Sequence, residues 1–173
     1  PTWLDRRQGM IVPMAVADLD NQMATFHVSS DDRCSSLNQQ TASSELDGLD
    51  PKLAAGCGNS RGGARSVPTI TLAMVLKTWL AGRSVHFLKV DVQGSELSVL
   101  RSARGHLKQV ERFQLEVPTG LCNTLTRDSP SCEDIFGYAN SMGFVTESVM
   151  LPSGKDLNDA PFAERNFTCA QVK

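Results

Sequence analysis

The sequence predicts an α/β fold in which a mostly parallel sheet carries helices on both faces, and three observations lead to this prediction. The first is a nearly continuous apolar stretch, residues 85–92, which is typical of a strand buried on both faces. The second is the change at Gly94, after which the apolar residues follow a helical spacing. The third is the alternation of predicted strands and helices along much of the chain, which is compatible with an additional antiparallel strand at the edge of the sheet.

Composition and charge indicate an ordinary globular protein. The 173 residues are 40% hydrophobic and 21% charged, which fits one domain. A net charge of −2 without a basic cluster argues against nucleic acid as a partner. No apolar run approaches the roughly 20 residues that cross a bilayer, and the first residues lack the apolar core of a signal peptide. We therefore expect a cytoplasmic protein without a membrane partner.

The cysteines give no metal-binding pattern. None of the cysteines forms a Cys-x-x-Cys pair, and none has a histidine at the spacing typical of metal ligands. There are five of them: Cys34, Cys57, Cys122, Cys132 and Cys169. We therefore expect no metal site. The odd number and the scatter favour reduced thiols of an intracellular protein over a disulfide framework.

The first third of the chain predicts two short strands and a loop region. Residues 11–17 are apolar and end at Asp18, which indicates a short buried strand, and residues 24–28 predict an edge strand or hairpin arm. Residues 29–66 are polar and then glycine-rich, which predicts an irregular surface loop. A nucleophile-elbow pattern at residues 58–62 lies in this loop without a strand before it or a helix after it, so a hydrolase is not expected.

Three helices follow from apolar residues at helical spacing. The first ends at Gly82 and has Trp79 in its buried stripe. Ser95 is the predicted cap of the second helix, and Ser131 begins the third. Further strands are predicted over residues 113–117, 145–151 and 166–172.

The segment Phe87-Leu-Lys-Val-Asp-Val-Gln-Gly-Ser-Glu-Leu-Ser-Val-Leu100 resembles the signature of the FkbM family of S-adenosylmethionine-dependent methyltransferases. Shorter stretches also resemble this family, at residues 12–18, 69–72, 113–117, 143–144 and 164–167. The resemblance implies a Rossmann-like methyltransferase fold with S-adenosylmethionine as the methyl donor. It also implies a small-molecule acceptor, a hydroxyl on a sugar or natural-product-like compound.

The same resemblance implies where the site lies. The donor would lie along the C-terminal edge of the sheet, with Ala17 and Asp18 near the adenine and Asp91 facing the methyl-transfer centre. Ligands of open α/β sheets bind outside the carboxyl ends of the strands, and this position fits that rule. The remaining catalytic candidates lie near the same edge: Lys89, Glu96 and Glu116.

Each catalytic candidate has a structural alternative. Asp91 could stabilise the turn at Gly94 and the start of the following helix, and Glu96 could be a favourable charge in the first turn of that helix. Lys89 and Glu116 could form an ion pair between neighbouring strands. Methyl transfer mainly requires that donor and acceptor are held in line and that a proton is removed, and it needs no metal.

The glycine-rich loop and the ribose-binding acid of such enzymes have no counterpart before Ile11, because residues 1–10 are too few for a strand, a loop and a helix. We therefore expect residues 1–173 to form one truncated domain that lacks the N-terminal strands and binds S-adenosylmethionine weakly or not at all. The alternative, of a different class, is a noncatalytic binding or pairing module derived from a methyltransferase.

Overall fold

The first sheet of the structure has three strands. Two of them lie near the start of the described chain, and the third ends just before the first predicted helix. The computed structural model describes residues 9–39, 57, 63–117, 130–150 and 165–171. The strands of this sheet are β1 (Ala15–Val16), β2 (Met23–His27) and β3 (Ala64–Ile70). Their order is β1-β3-β2, with β1 parallel and β2 antiparallel to β3.

The second sheet has four strands in the order β4-β5-β7-β6. They are β4 (Val85–Val90), β5 (Val110–Val117), β6 (Phe144–Met150) and β7 (Arg165–Gln171). Strands β4 and β5 are parallel, because a helical crossover joins them. Strand β7 is antiparallel to both of its neighbours, β5 and β6.

The prediction of a mostly parallel sheet is wrong for the described strands, since three of the five strand pairs are antiparallel. One cause is β3, which forms a hairpin-like pair with β2 and begins inside the predicted loop of residues 29–66. The other is β7, which lies between β5 and β6 instead of at the edge. Local apolar patterns report that a segment is extended, but they carry no information on which neighbour it will pair with.

The helices between these strands begin largely where the sequence predicts. Helix α1 covers Glu96–Ser102 and α2 covers Cys132–Ser141. At the start of α2 the Ser131 hydroxyl accepts the Asp134 N–H at 3.1 Å, and the Asp134 carboxylate accepts the Ser131 N–H at 3.3 Å. This capping box confirms the predicted start and lowers the pKa of Asp134 through the Ser131 hydrogen bonds.

The first predicted helix contains a π-helical segment, Met74–Trp79, and this changes the position of Trp79. The Leu80 N–H bonds to the Val75 carbonyl five residues back, at 2.9 Å. A wider turn alters the angle between successive side chains. Leu76 therefore stays buried while Trp79 is 41% exposed, and the prediction that Trp79 lies in the core is wrong.

The core lies against one face of β4 and β5. Phe113 and Leu115 are fully buried there, and the Phe113 ring meets Phe144 with 4.7 Å between ring centroids. Buried residues of both helices complete the cluster, among them Leu97, Leu100, Ile135 and Ala139. Phe87 and Lys89 alternate with the core-facing side chains of β4 and are exposed. The described helices therefore cover one face, and helices on the second face stay a prediction.

Cys34 and Cys57 form a disulfide, with their Cα atoms 5.2 Å apart. Both side chains are buried. The prediction of reduced thiols is therefore wrong for this pair, because a separation of 23 residues leaves no local signal that the chain folds back on itself. Part of the predicted loop is regular, with a 3₁₀ turn at Asp32–Cys34 and a bridge between His27 and Ser36. The rest of that loop, residues 40–56 and 58–62, lies outside the described residues.

Within the part of the chain that the structure describes, the helices are too short or too polar to cross a bilayer.

Candidate functional site

The candidate site is built around the turn that joins β4 to α1, residues 91–95. Gln93 has a φ of 52° and Gly94 a φ of 98°, so two successive residues lie in the left-handed region. Glycine is suited to this conformation because it has no Cβ. The turn directly follows the end of β4. The side chains at the carboxyl end of this strand therefore lie at the edge of the sheet.

The Glu96 carboxylate lies inside this turn. Its Oε1 accepts the Val92 N–H at 3.2 Å, and both of its oxygens accept the Gly94 N–H, at 3.1 and 3.0 Å. The residue is 1% exposed, and this burial raises the pKa of Glu96, although the backbone N–H groups oppose the shift. These contacts give Glu96 a structural role in the turn that the sequence interpretation did not predict, and its catalytic role stays a prediction.

Replacing Glu96 with alanine should lower the free energy of unfolding by about 2 kcal/mol, because the N–H groups of Val92 and Gly94 lose their acceptor in a buried place. Glu96→Gln keeps one oxygen as an acceptor and should lose less. Urea denaturation of both variants would measure the difference. Equal losses would indicate that volume, not hydrogen bonding, is what the side chain contributes.

The raised pKa of Glu96 also predicts a pH dependence with a definite sign. Because folding favours its protonated form, the contribution to stability is fully present below the pKa of the unfolded glutamate and is lost as the pH rises through the folded pKa. The stability of the wild type relative to Glu96→Gln should therefore fall as the pH rises above the range in which an ordinary glutamate titrates. Denaturation over a series of pH values tests this, and a rise would show that the backbone hydrogen bonds outweigh burial.

Asp91 is held by its neighbours on the same strand and turn. Its carboxylate accepts Lys89 Nζ at 2.9 Å on one oxygen and Gln93 Nε2 at 3.1 Å on the other. The Asp91 side chain is 34% exposed and lines a cavity of about 270 Å³. The structure thus brings Lys89 and Asp91 together as an ion pair, of which Asp91 lines that cavity.

Glu116 lies near this pair along the backbone. Leu115 is the parallel partner of Val90, so Glu116 follows next to Asp91 at the carboxyl end of β5. The backbone of Glu116 also pairs with Asn166 of β7. The side chain of Glu116 lies outside the described part of the structure, so neither its catalytic role nor the alternative ion pair with Lys89 is tested.

Asp18 and Ala17 line a second cavity, of about 380 Å³. Asp18 Oδ1 accepts the Ser98 hydroxyl at 2.7 Å, and the Asp18 carbonyl accepts Arg104 Nη2 at 3.0 Å. These contacts join the end of β1 to α1. The cavity wall is mixed, and its polar part consists of hydroxyl, amide and guanidinium groups from Ser95, Ser98, Asn38 and Arg101.

The two cavities share a wall, since Leu37 and Ser95 line both of them. The residues predicted to bind the donor, Ala17 and Asp18, therefore lie next to the cavity that contains Asp91. Their chemical roles stay predictions. The structure brings them near each other from two different sheets, and not along the edge of one sheet as the sequence predicts.

The sequence interpretation missed two residues that hold the turn from outside. The Ser36 hydroxyl is 2.8 Å from the Gln93 carbonyl and 3.3 Å from the Val92 carbonyl, and Asn38 Nδ2 donates to the Gly94 carbonyl at 2.8 Å. Their only signal in the sequence is that serine and asparagine often bond to backbone groups. Ser95 takes the predicted N-cap position of α1, but its side chain makes no cap bond and donates to Asn38 Oδ1 at 3.3 Å.

Within the described residues, no three His, Cys, Asp or Glu side chains come together in a group that could hold a metal ion.

A comparison with protein families identifies the class of this chain as methyltransferase. Residues 2–146 match the family model of the methyltransferase FkbM domain. The match covers most of the 173 residues, so the chain belongs to the FkbM methyltransferase family. No curated protein and no solved structure matches the chain.

Proposed function

We propose that this chain carries the acceptor side and the adenine side of an S-adenosylmethionine-dependent O-methyltransferase site. The acceptor we propose is a hydroxyl of a sugar or natural-product-like small molecule. The observation that carries this proposal is the pair of neighbouring cavities, one lined by Asp18 and the other by Asp91, with Leu37 and Ser95 between them. Methyl transfer requires donor and acceptor to meet in a near-attack geometry, and adjoining cavities permit that.

The larger cavity fits the adenosine end of such a donor. A carboxylate offers about four acceptor positions, so Asp18 can bond to Ser98 and to an N–H or O–H group of a ligand at the same time. Ser98 and Asn38 add hydroxyl and amide groups to the same wall. When bound, S-adenosylmethionine would supply a methyl group made electrophilic by its sulfonium.

Asp91 would orient the acceptor hydroxyl and take up its proton. The Lys89 ammonium at 2.9 Å and the Gln93 amide at 3.1 Å hold the carboxylate in place. Glu96 would act as a positioning residue, since it holds the turn from within and does not line either cavity. Glu116 is the further candidate for contact with the acceptor, from the end of β5.

The proposal is tested by calorimetric titration of the protein with S-adenosylmethionine. In this titration Asp18→Ala should weaken donor binding about fivefold or more.

The matched control is Glu111→Ala, an exposed acid that pairs with His86 away from both cavities. It should leave donor affinity unchanged. If Asp18→Ala binds as tightly as the wild type, the adenine lies elsewhere. If the protein does not bind the donor, the methyl-transfer proposal is wrong.

A noncatalytic binding or pairing module is the second candidate, and exposed apolar side chains favour it. Near the first sheet Ile11 is 75% exposed and Met23 is 64% exposed. Apolar surface of this kind is common where another molecule binds. Light scattering over a range of concentrations distinguishes the candidates, since a module would associate while showing no methyl transfer with any hydroxylated acceptor.

A further inference from the structure

The segment of residues 35–38, which we name the clamp segment, lies against the outer side of the 91–95 turn. It contributes the Ser36 hydroxyl to the carbonyls of Val92 and Gln93 and the Asn38 amide to the carbonyl of Gly94. These contacts join positions 56 and 57 residues apart in the sequence. The clamp segment therefore donates to the carbonyl groups of the turn, whereas Glu96 accepts its N–H groups.

The clamp segment also forms part of both cavities. Ser35 and Leu37 line the cavity that contains Asp91, and Leu37 and Asn38 line the one that contains Asp18. A shift of this segment would alter the turn and both binding volumes together.

The Cys34–Cys57 disulfide anchors the clamp segment at its first residue. Cys34 directly precedes Ser35, and its partner Cys57 accepts the Ser29 hydroxyl on its carbonyl at 3.1 Å. The Ser29 N–H in turn donates to Ser35 Oγ at 3.1 Å. The backbones of His27 and Ser36 exchange hydrogen bonds of 2.8 and 3.1 Å, which fix the same segment to the end of β2.

Loss of the disulfide would release this anchor. The cross-link closes a loop between positions 23 residues apart, so breaking it restores conformational freedom to the intervening chain. Cys34 and Cys57 are 1% and 0% exposed, so a reductant reaches them only when the segment opens locally. The same packing brings the two sulfur atoms together and holds Ser36 and Asn38 against the turn.

We propose that the Cys34–Cys57 disulfide is a redox-sensitive device that holds the clamp segment against the turn carrying Asp91. A dithiol reductant would transfer two electrons and two protons to the disulfide. The sulfur–sulfur bond would break to give two thiols, and the reductant would become a disulfide. The reduced protein has a looser turn and binds ligands more weakly in both cavities. The statement on ligand binding rests on the proposed function, whereas the statement on the turn does not.

Hydrogen exchange of the turn is the test. The N–H groups of Val92 and Gly94 are bonded to Glu96 and report on whether the turn is closed. In the wild type, dithiothreitol should speed their exchange about tenfold or more, while exchange at Phe113 in the core should not change. Thiol titration of the unfolded protein should count two more thiols after reduction than before.

Variants separate the disulfide from other effects of the reductant. Cys34→Ser with Cys57→Ser should exchange like the reduced wild type and should no longer respond to dithiothreitol, whereas Cys132→Ser should respond as the wild type does. Asn38→Ala keeps the disulfide and should still speed exchange at Gly94. This variant tests the contact even if the double cysteine variant does not fold.

Two results would overturn the proposal. One is a full set of five free thiols in the untreated protein, and the other is turn exchange that does not change on reduction, whatever the effect of Asn38→Ala. If turn exchange responds but no form binds S-adenosylmethionine, the proposed function fails while the coupling between disulfide and turn stands.

Discussion

Asp91→Asn should lower the turnover of methyl transfer about 100-fold while leaving donor affinity and stability close to those of the wild type. Asparagine has the shape of aspartate and can still accept from Gln93, but it cannot take up a proton. It also places an amide group beside the Lys89 ammonium, where the wild type has a carboxylate oxygen at 2.9 Å. The lower turnover should therefore come from poorer placement of the acceptor and from slower proton removal.

The measurement is the rate of methyl transfer at saturating donor, together with calorimetric donor affinity and thermal denaturation. Glu111→Gln, which removes an exposed charge from the same sheet, is the matched control and should keep its rate. If Asp91→Asn retained its turnover and lost several kcal/mol of stability, Asp91 would be a turn-stabilising residue. The contacts of Glu96 with the turn argue against that outcome.

Phe113→Ala should lower the free energy of unfolding by about 3 to 5 kcal/mol. The Phe113 side chain is completely buried, and its ring is 4.7 Å from that of Phe144, tilted by 53°. Truncation removes this contact and leaves a cavity between β5 and the helices, which the surrounding backbone can close only in part. The cavities that contain Asp18 and Asp91 are not lined by Phe113.

Trp79→Ala is the matched comparison, since it truncates a large aromatic side chain that is 41% exposed. We expect a loss of about 1 kcal/mol for it. Urea denaturation of both variants, with the midpoint and the slope recorded, provides the test. Equal losses for Trp79 and Phe113 would mean that the π-helical segment packs more deeply than its exposure indicates.

Features set by neighbouring residues were predictable from the sequence. The left-handed turn at Gly94 and the start of α2 at Ser131 are marked by residues close together in the sequence, so the local pattern predicts both. Asp91 and Asp18 were predicted along the edge of one sheet, whereas β4 and β1 belong to different sheets and the two residues line adjoining cavities.

Features set by distant contacts were not predictable. Ser36 and Asn38 meet the turn across more than fifty residues, and nothing near them in the sequence marks that contact. The disulfide and the pairing of β2 with β3 were not predicted for the same reason. The prediction that Trp79 is buried was wrong for a different reason, because a change from α-helical to π-helical bonding rotates a side chain without altering the residue pattern.

The position of β7 between β5 and β6 has a consequence for how the protein is made. A ribosome releases β5 and β6 before β7, yet β7 supplies the hydrogen-bonding partner of both. Until residues 165–171 emerge, the nascent chain presents two open strand edges that can pair with other chains. The last described strand thus acts as the closing piece of the second sheet, and a chaperone that shields the open edges during translation would raise the yield of folded protein.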